Sequence, residues 1–164
     1  MLRFMRTTHE AIVEHSREAY PEECCGFVLV AEENETVRRM TNVQDRMHGL
    51  DPATFHRGAR MAYFMDPKEL LAVHREVEGG KWSVKAVYHS HPDHDALFSP
   101  EDKRLALFDE EPSYPEWVHV VVSIYGREVG AMRAFEWDDE VRDFVEVRMA
   151  PPQRDPGKGR KMSG

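Results

Sequence analysis

The sequence has 164 residues, 41% of them hydrophobic and 32% charged, with a formal net charge of −8. A chain of this length buries roughly 70% of its unfolded surface on folding, enough for one real core. No apolar run approaches the ~20 residues of a membrane-spanning helix, and the acidic balance excludes a general nucleic-acid binder, which needs a basic footprint to neutralise phosphate.

Thr7 or Thr8 is placed to cap a helix running to Tyr20, where Pro21 stops it. No apolar segment of signal-peptide length follows the first residues, so an exported precursor is not expected. Cys25–Val30 is an apolar run of strand length, and Glu32 to Glu35 turns the chain into a second strand over 36–40. Residues 42–58 show no periodicity and read as irregular. Arg60–Met65 alternates like a strand. Asp66-Pro67 then opens a helix, with Leu70, Val73, His74 and Val77 at helical spacing and Gly79-Gly80 as its stop.

Trp82–His89 alternates again, and a short helix follows Ser99. Trp117–Tyr125 is the strongest strand and is expected at the centre of a sheet. Two further strands, over 129–137 and 141–148, complete a meander. The pattern predicts an α/β fold of the α+β type: a mixed, mostly antiparallel sheet flanked by two long helices and one short one. Residues 1–150 read as a single domain. The remaining stretch, 151–164, is rich in Pro and Gly and sets four cations against Asp155, a net +3 that leaves −11 on the domain. It reads as a disordered basic tail.

Cys24 and Cys25 are adjacent, with Cα atoms about 3.8 Å apart, too close for an ordinary disulfide. A fold without disulfides suits a reducing cytoplasm. Cys25 opens an apolar strand and reads as packing. His119 alternates with valines and reads as a satisfied core or edge histidine, and His94 as an exposed loop residue near the chemistry. The acidic runs 109–111 and 138–140 read as solvated turns.

The chemistry concentrates in 89–102. His89 and His91 stand two apart at the end of a strand, so period-2 geometry sends both imidazoles to one face, and Pro92 keeps the backbone extended. Ser99-Pro100-Glu101-Asp102 reads as an N-cap, a proline at the first helical position and a near capping box. The same geometry holds Asp102 ionised at a helix start, a loop's length from the histidines. Two His and one Asp leave a fourth tetrahedral position open, the arrangement of a catalytic zinc site. A base that is not itself a ligand is then needed. Glu22 or Glu23, just before the Cys25–Val30 strand, can supply it, and spacing alone does not choose between them.

Taken together, Glu23-x-x-Gly26, His89-Ser90-His91-Pro92 and Ser99-x-x-Asp102 resemble the JAMM (MPN+) metalloprotease family, and Pro21–Gly26 resembles the Pro-x-Glu-x-Cys-Gly of its stand-alone bacterial members. The resemblance covers residues 7 to about 148. It implies an MPN fold with cytidine-deaminase-like layering. It also implies Zn²⁺ on His89, His91 and Asp102, with Glu23 rather than Glu22 as base and Ser99 as donor to the developing oxyanion. The substrate class it implies is an amide after the C-terminal Gly-Gly of a small ubiquitin-like, sulfur-carrier type protein. A non-catalytic binding or scaffold module of the same fold, and a zinc amidase acting on cell-wall or small molecules, are the alternatives. Specificity is expected to reside in 42–58 and in the loop 93–98.

Overall fold

A computed structural model describes residues 1–157. The elements run α1 (Arg6–Ala19), β1 (Cys25–Ala31), β2 (Asn34–Met40), α2 (Gln44–Leu50), α3 (Pro67–Glu78), β3 (Ser83–Pro92), α4 (Pro100–Ala106), β4 (Leu107–Phe108), β5 (Glu111–Pro112), β6 (His119–Tyr125), β7 (Glu128–Asp138) and β8 (Asp143–Val147). Six strands form one sheet in the order β2-β1-β3-β6-β7-β8. Every neighbouring pair is antiparallel except β3 and β6, whose parallel pairing requires the long crossover 93–118 that carries α4 and the β4–β5 hairpin. The mixed, mostly antiparallel sheet is thus as expected, with β3 and β6 at its centre.

Both faces of the central strands are covered, which is why β1 and β6 read as near-continuous apolar runs. On one face α1 lays Ile12 over Val28, Ala86, Tyr88, Val120 and Val122. On the other, α3 buries Val73 against Phe27, Leu29 and Val87, and Phe98 with the α4 side covers Val121, Phe135 and Phe144. The expected start of α3 is present: Asp66 Oδ1 accepts from Lys68 N at 2.8 Å, with Pro67 at the first position. Gly26 is required by close approach, because a Cβ there would lie 2.5 Å from the Tyr88 hydroxyl and 2.6 Å from the Arg38 carbonyl oxygen.

Four expectations need correction. α1 begins at Arg6 behind Met5, with no side-chain cap; Thr7 is instead hydrogen-bonded to Asp155. The irregular stretch 42–58 contains α2, so four helices are present among the described residues rather than two long and one short. Arg60–Met65 is not a strand. The Asn42 side chain stands in for part of a ladder, accepting from Phe64 N at 3.1 Å and donating to the Ala62 carbonyl at 3.2 Å, beside an isolated antiparallel bridge of Asn42 with Met65 in which Val43 N donates to Phe64 O at 2.8 Å. The run 109–111 is exposed, as expected of a solvated turn, with Asp109 and Glu110 at positive φ in the tip of the β4–β5 hairpin. Lastly, the tail does not leave the domain at 150. Gln153 N donates to Phe4 O at 2.9 Å and Gln153 O accepts from Arg6 N at 2.8 Å, running parallel to the first residues. The part of the tail after 157 lies outside the described residues.

Candidate metal centre

Two halves of the sequence meet where β1 begins and β3 ends. Their register pairs Cys25 with His89, which puts Glu23 beside the His89-Ser90-His91 run. Ser90, between the two histidines, faces the opposite way and is completely buried. Its hydroxyl accepts from Cys24 N at 2.8 Å and its own N donates to Cys24 O at 3.1 Å. The middle residue of the histidine motif is therefore a stitch between the strands.

His89 and His91 point to one face, as the period of 2 requires, and their Nε2 atoms stand 3.0 Å apart. Asp102 reaches both from α4: His89 Nε2 lies 3.1 Å from Oδ1 and His91 Nε2 3.1 Å from Oδ2. Asp102 is held there by a complete capping box. Its N donates to Ser99 Oγ at 3.1 Å, and Ser99 N donates to its Oδ2 at 2.9 Å. The cap and the convergence on the histidines thus use the same carboxylate. Burial works against its charge, but the two facing imidazoles outweigh burial and hold Asp102 far below the usual carboxylate range.

The rings are fixed from behind. His91 Nδ1 donates to the Asp95 carbonyl at 2.9 Å, leaving Nε2 as the inward nitrogen, and Tyr63 packs on His89 at 4.7 Å between ring centroids. Burial lowers the proton affinity of His91, yet the hydrogen bond and charge of Asp102 win and raise it.

Glu23 completes the group. It is 5% exposed while Glu22 is exposed, so the structure turns only one of the two inward. Its backbone is clamped, N donating to Ala59 O at 2.7 Å and O accepting from Asn42 Nδ2 at 2.9 Å. One carboxylate oxygen lies within 4.8 Å of both inward imidazole nitrogens. Oε1 is buried with no hydrogen-bond partner. Burial first, then the charge of Asp102, pushes this carboxyl well above its ordinary range, with Arg57 opposing. A carboxylate of raised basicity and no competing partner is suited to accept a proton from a water held between the histidines.

The donor set fits a divalent metal. Two imidazole nitrogens and a carboxylate face one another at 3.0–3.1 Å, and a single proton cannot serve all three contacts. A cation among them accepts a lone pair from each ring and offsets the carboxylate, and a borderline ion such as zinc suits this mix of N and O. The site opens into a cleft of about 340 Å³ lined also by Arg57, Met61, His94 and Leu97.

Sequence patterning missed Asn42 and Arg57 because 42–58 has no period to read, and Met61 and Tyr63 because their alternation reads as an ordinary strand. Cys25 is packed under α3 as expected, and His94 is an exposed loop residue. His119 is a buried histidine as expected, its ring set between Phe98 and Phe144 at the edge of a cleft. Burial, with the charge of His89, pushes its imidazole down to about 4.

A family model for prokaryotic homologues of the JAB domain matches residues 5–138. A desampylase from Haloferax volcanii is 30% identical over 140 residues, spanning 82% of this chain and 87% of that relative. The solution structure of a protein from Desulfitobacterium hafniense superposes with a TM-score of 0.67 at 21% identity, covering 94% of this chain and 96% of the other. The crystal structure of a JAB1/MPN domain protein from Archaeoglobus fulgidus gives a TM-score of 0.51 at 16% identity, with 93% and 100% covered. At these identities the two structures speak for the fold.

Proposed function

The chain belongs to the family of prokaryotic JAB domain homologues, and on that premise we propose that it is a zinc-dependent isopeptidase or peptidase acting on a ubiquitin-like protein. The observation that carries this reading is the convergence of His89, His91 and Asp102 at 3.0–3.1 Å beside the buried, unpartnered carboxylate of Glu23. The 30% identity with a desampylase supports hydrolysis of an amide on a ubiquitin-like partner. The finer assignment, an amide following the Gly-Gly tail of a sulfur-carrier type protein, rests on the Glu-x-x-Gly, His-x-His and Ser-x-x-Asp motifs. A reducing, cytoplasmic setting is part of the same proposal and suits two free buried cysteines.

In this reading His89, His91 and Asp102 hold the metal. Zinc there would supply Lewis-acid chemistry, polarising the scissile carbonyl and making a water acidic near neutral pH. Glu23, desolvated and unpartnered, takes the proton of the attacking water and returns it to the leaving nitrogen. The Ser99 oxygen already accepts from Asp102 N, so its hydroxyl hydrogen is the one left to meet the carbonyl oxygen as charge develops. Donors of that kind are worth about 2.7–4 kcal/mol of barrier. Removing zinc with EDTA is expected to abolish cleavage of a Gly-Gly amide, and restoring it to recover the activity. The Glu23→Gln variant is expected to bind zinc in the same stoichiometry while losing at least about a hundredfold in kcat. Undiminished hydrolysis by that variant refutes the assignment.

A further inference from the structure

After Pro92 the chain makes a short span, 93–96, whose two ends are fixed by different means. At its start Asp93 takes a positive φ of 58°, and its N donates to Ile124 O at 2.7 Å. The Asp93 carboxylate accepts from the Tyr20 hydroxyl at 2.8 Å and from Gly126 N at 3.1 Å. At the far end Ala96 is buried and packs in the cluster of Phe98 and Val121. His94 and Asp95 lie between these anchors, both exposed.

This exposed middle carries the carbonyl on which His91 depends, since Asp95 O accepts from His91 Nδ1 at 2.9 Å. The backbone there does little to hold it, for His94 N meets His91 O only at 3.5 Å. The grip comes from β6. That strand runs parallel to β3 with Pro92 opposite Ile124, so Tyr125 emerges at the level where the span begins. Its hydroxyl donates to Asp95 Oδ1.

A neutral imidazole carries one proton, which can sit on either nitrogen. While Asp95 O accepts from Nδ1, that proton stays behind the ring and the Nε2 lone pair faces inward. Turning the Asp95 peptide away frees the proton to move to Nε2, where it blocks a metal. Water competes for every hydrogen bond of an exposed span, so a side-chain anchor at Asp95 sets how well the carbonyl keeps its place. Resting on the reading that His89, His91 and Asp102 hold the metal, we infer that Tyr125 is a positioning residue of the centre. Through the Asp95 side chain it keeps the Asp95 carbonyl on His91 Nδ1, and the ring ready for the ion, while itself touching neither metal nor substrate.

The test is the zinc dissociation constant of the full chain, stripped with EDTA and measured by competition with a chromophoric chelator. Losing a direct outer partner of a ligating histidine costs about tenfold to a hundredfold in affinity. Tyr125 acts one step further out, so Tyr125→Phe is expected to weaken zinc binding by about threefold to tenfold. Asp95→Ala should do the same, whereas Asp95→Asn keeps an oxygen for the phenol and should bind more tightly than Asp95→Ala. The double variant Tyr125→Phe/Asp95→Ala should be no worse than its weaker single, because both remove one contact. Tyr114→Phe is the control: it deletes another exposed tyrosine's hydrogen bond, to His74 Nε2 at 3.0 Å, and should leave zinc affinity unchanged. Positions 95, 114 and 125 are exposed, so every EDTA-treated variant should melt within about 2 °C of the native protein. Unchanged zinc affinity in Tyr125→Phe overturns the inference. So does a loss shared by Tyr114→Phe, an Asp95→Asn variant no better than Asp95→Ala, or losses that multiply in the double variant. Native protein that takes up no zinc refutes the metal centre itself, and the role of Tyr125 falls with it.

Discussion

Replacing His15 by glutamine tests what holds the sheet on the side away from the metal centre. Tyr88, the residue before His89, is fully buried, and its hydroxyl donates to His15 Nδ1 at 2.6 Å. Burial, then the charge of Arg39, pushes the His15 imidazole from 6.5 down to about 4, with Glu18 opposing. The folded state therefore binds this proton less readily than the unfolded state. The stabilising contribution is complete above pH 6.5 and is lost as pH falls toward 4. The full shift corresponds to about 3 kcal/mol. Because His15 is only partly buried, solvent screening reduces this to about 1–2 kcal/mol. At roughly 2–4 °C per kcal/mol for a chain of this size, the native protein should lose about 2–8 °C more than the His15→Gln variant between pH 7.5 and pH 4. Glutamine keeps an acceptor for Tyr88 and does not titrate. The assay is the Tm by circular dichroism across that range in EDTA-treated samples. His119, also lowered to about 4, is common to both proteins and cancels in the difference. Parallel Tm curves, or a steeper loss in the variant, would refute the reasoning.

The remaining predictions concern the scaffold around the site and its metal. Gly26→Ala drives a methyl group to within 2.5–2.6 Å of the Tyr88 ring and a backbone oxygen. It should cost about 3 kcal/mol, seen as a lower denaturant midpoint at unchanged m-value. Asn42→Ala strips partners from the carbonyls of Glu23 and Ala62 and the amides of Gln44 and Phe64. A destabilisation of about 2–3 kcal/mol follows, and hydrogen exchange should quicken first across 57–65. Free zinc at a thousandfold excess over its Kd adds about 4 kcal/mol to the folded state, so the zinc-loaded protein should melt about 8–16 °C above the EDTA-treated one. Coincident melts would mean that no metal site has formed.

The parts of this fold that sequence reveals are those whose geometry comes from neighbours in the chain. His89 and His91 share a face because a strand alternates, and Asp66-Pro67 and Ser99-Pro100 start helices by hydrogen bonds three residues long. The centre of the site was legible for the same reason. What stayed hidden depends on contacts that the chain closes only when folded. The Asn42 side chain stands in for part of a ladder at residues 62–64 across a gap of some twenty positions. Thr7 looks like a cap but is engaged by Asp155 from the other end of the chain. The turn at Asp109 and Glu110 was legible, but the two short strands β4 and β5 that it joins were not, for they carry neither an alternating pattern nor the Asn-Gly signal of a hairpin. Arg57 shares this position: its surroundings come from α2 and from the backbone of Glu23, neither of which a periodic pattern connects to it.

The stitch between Ser90 and Cys24 sets the tolerance of the whole centre. Sliding β1 against β3 by two residues would keep every side chain on its proper face, so hydrophobic patterning alone does not forbid it. That slip would carry the Glu23 carboxylate about 6.8 Å along the ladder, out of reach of anything bound between the histidines. The two hydrogen bonds of Ser90 belong to one register only. Although Glu23 and His89 lie far apart in sequence, they behave as parts cut from a single rigid piece. Transplanting the histidine motif to another sheet therefore requires the Glu-Cys strand and the serine to travel with it, since the ladder acts as the ruler between base and metal.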